Sequence, residues 1–88
     1  MGTYQIEWKR SALKELKRTP KEIISKIIHA VDELSSDPFP TGARKLTGAE
    51  HTYRIRIKDY RVIYTVQGEQ LIVEVVRIGH RKDVYRQL

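Results

Sequence analysis

Residues 53–64 constrain the fold more than any other stretch of this chain. In Tyr53-Arg54-Ile55-Arg56-Ile57 every second side chain is apolar, the period of a strand with one buried face. After Lys58-Asp59 the alternation resumes with Tyr60, Val62, Tyr64 and Val66. A two-residue turn at Lys58-Asp59 fixes the register: Ile57 opposite Tyr60, Ile55 opposite Val62, Tyr53 opposite Tyr64. Those six side chains then seal one face, while Arg54, Arg56, Arg61 and Ile63 take the other. Arg56 falls directly across from Arg61, an arrangement that destabilises a hairpin unless something offsets the repulsion. An anion bound between the two guanidinium groups would do so. The competing reading is ordinary solvation of surface charge.

The remaining chain supplies what such a hairpin needs. Tyr4-Gln5-Ile6-Glu7-Trp8 alternates as a first strand. Leu13 and Leu16 stand at helical spacing behind Ser11, a potential N-cap. Thr19-Pro20-Lys21-Glu22 reads as a capping box, with Pro at the first helical position. Ile23, Ile24, Ile27, Ile28, Val31 and Leu34 follow as one apolar helical stripe. The loop Asp37-Pro38-Phe39-Pro40-Thr41-Gly42 ends that helix, and Leu46 anchors the return to the sheet. A second turn with Gly68-Glu69 at its tip sets Val62, Tyr64 and Val66 opposite Val75, Val73 and Leu71. Ile72, Glu74 and Val76 then join the arginine face. Residues 82–88 are long enough for one or two helical turns. The expected fold is α+β, in the order β-α-α-β-β-β-α. A small antiparallel sheet of about four strands carries a two-helix hairpin on one face and a short C-terminal helix.

Eighty-eight residues make one domain, 1–88, and the hydrophobic fraction of 40% suffices for a core. The absence of cysteine excludes disulfides and thiolate metal sites. Neither a membrane-spanning run nor a signal peptide is recognisable, so a cytoplasmic location without membrane association is expected. Residues 53–88 hold eight basic and four acidic side chains, against nine and seven in residues 1–52. Positive charge is thus concentrated in the half with the arginine hairpin, as for a surface that meets phosphates or an acidic protein.

Gly79-His80-Arg81-Lys82-Asp83-Val84-Tyr85-Arg86 follows the last strand. In a helix from Arg81, that residue and Tyr85 project side by side, while Val84 and Leu88 dock the helix. Joined to Arg54, Arg56 and Arg61, this pair supports one reaction without a metal or any other cofactor: attack of an RNA 2′-hydroxyl on the adjacent phosphate. Arginines bind phosphate oxygens through fork-shaped hydrogen bonding and stabilise their developing charge. A phenol, with an ordinary pKa near ~10, is lowered by nearby guanidinium groups, which makes Tyr85 a candidate general base. Arg81 would steady the phosphate or the leaving 5′-oxygen. His80 is a second candidate for proton transfer. His29, His51 and His80 lack metal-ligand spacing, and no Gly-rich phosphate loop is present.

In these residues the chain resembles toxins of the RelE/ParE superfamily of bacterial and archaeal toxin–antitoxin modules. The resemblance spans nearly the whole sequence. It rests on Lys45-Leu46-Thr47-Gly48, on Tyr53 to Ile57 with Asp59 to Tyr64, and on Gly79-His80-Arg81 with Val84-Tyr85, in that order and spacing. Its RelE-like branch implies a ribosome-dependent, metal-free endoribonuclease that cuts mRNA in the ribosomal A site by 2′-hydroxyl attack. That branch's catalytic positions fall on Arg54, Arg56, Arg61, Arg81 and Tyr85. The first two are lysines in the best-known members; an arginine stays protonated, so the base role passes to Tyr85. A further branch uses a carboxylate before the anchor leucine, where this chain has Arg44-Lys45. Arg44, Lys45, Lys58 and Lys82 are the expected additional RNA contacts. The resemblance also implies a cognate antitoxin with an acidic or amphipathic segment, which covers the arginines or displaces the last helix. The alternatives are a ParE-like, non-enzymatic inhibitor of DNA gyrase and a member that only binds its antitoxin.

Overall fold

The computed structural model describes residues 3–85. Strand β1 (Gln5–Trp8) leads into helices α1 (Arg10–Lys17) and α2 (Lys21–Glu33). Strands β2 (Arg44–Lys45), β3 (Thr52–Ile57), β4 (Tyr60–Gln67) and β5 (Ile72–His80) follow. They form one five-stranded sheet in the order β1-β5-β4-β3-β2. The class is α+β, as the alternation patterns predict, with two differences. A fifth strand of two residues, β2, lies against β3, and β1 runs parallel to β5, so the sheet is mixed.

Each helix contributes one buried stripe to the core. Ala12 and Leu16 of α1, and Ile23, Ile27 and Val31 of α2 with Leu34 beyond it, cluster with Ile55, Ile57, Val62, Tyr64, Val66, Val73, Val75 and Ile78. Leu13 and Ile28, which the helical period also places near that stripe, are exposed instead. The expected caps differ as well. Neither Ser11 nor Thr19 caps a helix start; α1 begins after Lys9 and α2 after Pro20, without side-chain caps. The Thr19 hydroxyl donates to the Glu15 carbonyl (2.9 Å), so this buried residue closes α1 rather than opening α2.

The β3–β4 register is the one the alternation dictates, Tyr53 opposite Tyr64 through to Ile57 opposite Tyr60. Lys58, the first loop residue, adopts a φ of 56°, a left-handed conformation that favours glycine. The β4–β5 register departs from expectation. The loop occupies four residues, 68–71, with Leu71 at a φ of 56°, so Val66 pairs with Val73 and Tyr64 with Val75. A β-bulge then intervenes. Ile63 pairs with Arg77, which leaves Val76 as the extra residue.

That bulge decides which way the end of β5 faces. Unbroken alternation from Val73 and Val75 would turn Arg77 and Gly79 toward the helices and His80 toward the arginines. With one residue inserted, Ile78 joins the core and Gly79 lies opposite Arg61 on the arginine face. The carboxylate of Glu15 secures this arrangement from α1. It accepts the Ile78 backbone N–H (2.9 Å) and pairs with Arg77 Nε (3.4 Å).

Candidate functional site

The face of the sheet away from the helices carries an unusual concentration of guanidinium groups. Cross-strand partners share a face, so the pairings Arg44 with Arg54 and Arg56 with Arg61 put four arginines there in two like-charged pairs. The strand β2, absent from the alternation pattern, supplies the first of these pairs. Arg54 senses all the others. Burial lowers its pKa from the usual guanidinium value, and Arg56, Arg61 and Arg44 add to the lowering, while the Tyr85 phenol opposes it. An arginine so placed remains protonated at neutral pH; the consequence is repulsion that a bound anion would relieve.

A groove of about 240 Å³ opens beside Arg54, lined by Thr41, Gly42, Arg44, Arg54, Ile55 and Arg56. Its origin is local. β2 pairs only with Arg54 and Tyr53, so among the described residues no strand pairs with Ile55 and Arg56 on that edge. Gly42, at a φ of 96°, veers the preceding chain away from β3. The gap between the diverging chains is therefore walled by three arginines.

Tyr85 reaches this face through the turn that follows β5. Residues 81–85 form consecutive turns rather than the start of an α-helix, and residues 86–88, including Leu88, lie outside the described residues. The backbone N–H groups of Asp83 (2.8 Å) and Val84 (2.9 Å) both donate to the His80 carbonyl, and that of Arg81 donates to the Asp59 carbonyl (2.7 Å). Val84 is 1% exposed and seats on Gly79; a Cβ built at Gly79 would come within 3.3 Å of Val84 Cβ. Ile63 is also fully buried on this face, outside the main core. Val84 thus anchors the turn on the arginine surface, and Tyr85, partly exposed, stands where its phenol acts on Arg54.

The remaining expected residues are dispersed. The Nε of Arg81 faces Asp59 Oδ1 at 3.9 Å, an exposed ion pair at the rim of the face. Arg61 donates through Nη1 to the carbonyls of Lys58 (3.2 Å) and Tyr60 (3.1 Å), which draws its guanidinium toward the β3–β4 turn. Lys58 sits exposed in that turn, and Lys82 is exposed beyond β5. Lys45, opposite Tyr53, shares the helix-side face and not the arginine face. His80, the second candidate for proton transfer, does likewise. The bulge pairs it with Tyr60 on the helix side, where the two rings meet edge-on at 5.7 Å and its Nδ1 accepts the Lys82 N–H (3.2 Å). The phase slip was written in the sequence: Val73, Val75, Val76 and Ile78 break alternation by one residue. No group of three or more His, Asp or Glu side chains that could hold a metal occurs among the described residues. No helix among them is long and apolar enough to cross a membrane.

Comparison with known proteins converges on one group. The family model described as the ParE toxin of the type II toxin–antitoxin system parDE matches residues 6–85. A protein of Escherichia coli named as a RelE-like toxin is 34% identical over 86 residues, which cover 93% of this chain and 90% of its own. Toxin RelG of Mycobacterium tuberculosis is 30% identical over 87 residues, covering 94% and 97%. Among solved structures, the archaeal RelE–RelB complex of Pyrococcus horikoshii OT3 contains a chain that superposes with a TM-score of 0.81 at 28% identity, covering 93% of this chain and 99% of that one. A chain of the intact Escherichia coli RelBE toxin–antitoxin complex gives a TM-score of 0.77 at 26% identity, covering 88% and 95%.

Proposed function

Because the chain belongs to the ParE toxin family of type II toxin–antitoxin systems and is RelE-like among its relatives, we propose that it is an endoribonuclease. Its substrate in this reading is mRNA in the A site of the translating ribosome. The observation that carries the reading is the arginine face, two like-charged cross-strand pairs with a phenol that acts on Arg54. Such a surface is costly unless an anion occupies it, and a phosphodiester supplies one.

The chemistry follows from that arrangement. As general base, the Tyr85 oxygen takes the proton of the 2′-hydroxyl, and the 2′-oxygen forms a bond to phosphorus. Arg54 and Arg56, with Arg61 at the turn, stabilise charge on the non-bridging oxygens through charge-assisted hydrogen bonds. The bond from phosphorus to the 5′-oxygen breaks, leaving a cyclic 2′,3′-phosphate, and the departing oxygen takes a proton from solvent water with the Arg81 guanidinium at its side. Arg44 and the exposed Lys58 and Lys82 extend the positive surface along the strand. A site this open has little means of aligning RNA unaided, so the ribosome holds the scissile dinucleotide in line.

The RelB-bound relatives support a cognate antitoxin as partner, and the net charge of +6 suits an acidic segment. A second reading is favoured by the ParE description of the matching family model: a non-enzymatic inhibitor of DNA gyrase. Purified protein added to a translating extract decides between them. mRNA cut within codons, with loss of about 100-fold or more on Tyr85→Phe, supports the nuclease. Intact mRNA together with blocked DNA supercoiling supports the gyrase inhibitor.

A further inference from the structure

Helix α1 and its flanks carry a second cationic surface. Between Lys9 and Lys21 the chain has six basic side chains, Lys9, Arg10, Lys14, Lys17, Arg18 and Lys21, and one acidic, Glu15. All six are exposed, and none takes part in an ion pair among the described residues. Glu15 does not neutralise them, because its carboxylate is engaged by the Ile78 N–H and by Arg77. Arg10, Lys14 and Lys17 recur at i, i+4 and i+7, so they form one ridge. It lies on the far side of α1 from Ala12 and Leu16, which the helix buries in the core. The ridge and the arginine face therefore point away from one another, with the core and the sheet between them.

Ordinary helix electrostatics does not account for this ridge. Lys14 and Lys17, in the last turn, suit the negative pole of the helix. Lys9 and Arg10 stand at the positive pole, where no acidic residue occupies the first turn. Arg10 with Lys14, and Lys14 with Arg18, are like-charge pairs four residues apart, which destabilise a helix. As on the arginine face, a bound anion relieves the repulsion. The three ridge residues span about 10 Å of helix axis, a length over which one strand of a duplex presents about three phosphates. The ridge is convex and α1 has no aromatic residue, whereas single strands are held in grooves with stacking rings. A duplex is instead recognised across its surface, through phosphates and 2′-hydroxyls. Resting on the reading that the protein acts on ribosome-bound mRNA, we infer that Arg10, Lys14 and Lys17 bind the phosphate backbone of a structured RNA helix. That contact holds the protein in place while the arginine face, on the other side, engages the message.

The test is the affinity of the full chain for a short RNA duplex, measured across a range of salt concentrations. The triple variant Arg10→Gln/Lys14→Gln/Lys17→Gln is expected to bind the duplex about tenfold or more weakly. The slope of log affinity against log salt should also become shallower by about 2–3, as for three lost phosphate contacts. Arg10→Lys/Lys14→Arg/Lys17→Arg keeps the charges and is expected to keep both. All three side chains are exposed, so the glutamine variant should melt no lower than the unsubstituted protein. On translating ribosomes its KM should rise with kcat unchanged, because the ridge faces away from Tyr85. Unchanged duplex affinity and slope in the glutamine variant overturn the proposal, and so does an equal loss in the charge-preserving variant. An unchanged KM overturns it as well. Leu13, exposed beside Lys17, would suit an acidic amphipathic peptide, so weakened binding of such a peptide with duplex binding untouched also overturns it. Should the unsubstituted protein leave mRNA whole, the nuclease reading falls, while the duplex affinity and its salt slope still decide whether α1 holds RNA.

Discussion

Replacing Gly79 with alanine probes how the Tyr85 phenol is held against Arg54. The new methyl would sit 3.3 Å from Val84 Cβ, 3.4 Å from its Cα and 3.5 Å from Cγ2, whereas carbon atoms pack best at about 3.5–4.0 Å. Two of the three neighbours belong to the rigid part of Val84, so no rotamer change relieves the contact. Overpacking of this kind costs about 1–3 kcal/mol. Lifting the turn off the sheet instead forfeits the burial of Val84, about 1.5–3 kcal/mol for a valine-sized side chain. The cheaper route sets the loss, about 1–2 kcal/mol, and a domain of this size then melts roughly 5–15 °C lower. Either way Tyr85 leaves its place, so kcat for mRNA cleavage is expected to fall by at least about tenfold. Val84→Ala keeps the Cα and Cβ that the new methyl meets, so the double variant Gly79→Ala/Val84→Ala should recover neither loss. Full activity and an unchanged Tm in Gly79→Ala would refute the idea that Val84 seats the turn, and so would a double variant that regains the Tm of the unsubstituted protein.

Other residues make separate predictions. Lys58→Gly relieves a left-handed φ of 56° and should stabilise the protein by about 1 kcal/mol, read as a rise in Tm. Glu15→Ala leaves the Ile78 N–H without this acceptor and removes the Glu15 carboxylate from beside Arg77, and should cost about 1–3 kcal/mol in denaturant titration. Glu15→Gln, which keeps an acceptor, should cost less than about 1 kcal/mol. The Tyr64 phenol is pushed up from 10.0 to about 12, first by burial and then by Tyr53 and Asp37. A folded pKa above the unfolded one means that its stabilising contribution is complete below pH 10 and is lost as pH rises through about 12. Tyr64→Phe should flatten the decline in stability across that window, and parallel declines in both proteins would contradict the assignment.

Strict alternation made the central hairpin legible because a one-residue slip would have exposed every apolar side chain of β3 and β4 at once. The face bearing Arg54, Arg56 and Arg61 followed from the same register. Arg44 could not be assigned to that face from its sequence, since two residues in a Pro- and Gly-punctuated loop carry no alternation. The β4–β5 register failed for a different reason. Gly68 suggested a tight tip, but Leu71 takes the left-handed conformation and lengthens the loop to four residues. Val76, read as one more residue of a regular strand, is the bulge that turns His80 to the helix side. The length of residues 82–88 suggests one or two helical turns; residues 81–85 form turns, Val84 seats on Gly79, and residues 86–88 lie outside the described residues. Capping boxes proved weak guides because Thr19 had a nearer acceptor at the end of α1.

The chemistry of the cut ends offers the most direct test that this arginine surface and its phenol cleave RNA. mRNA recovered from ribosomes exposed to the purified protein, with a chelator present, should carry cyclic 2′,3′-phosphates upstream of each cut and 5′-hydroxyls downstream. The same ends should vanish with Tyr85→Phe. Fragments ending in 3′-hydroxyls and 5′-phosphates, or message that stays whole while translation or supercoiling is blocked, would contradict the account.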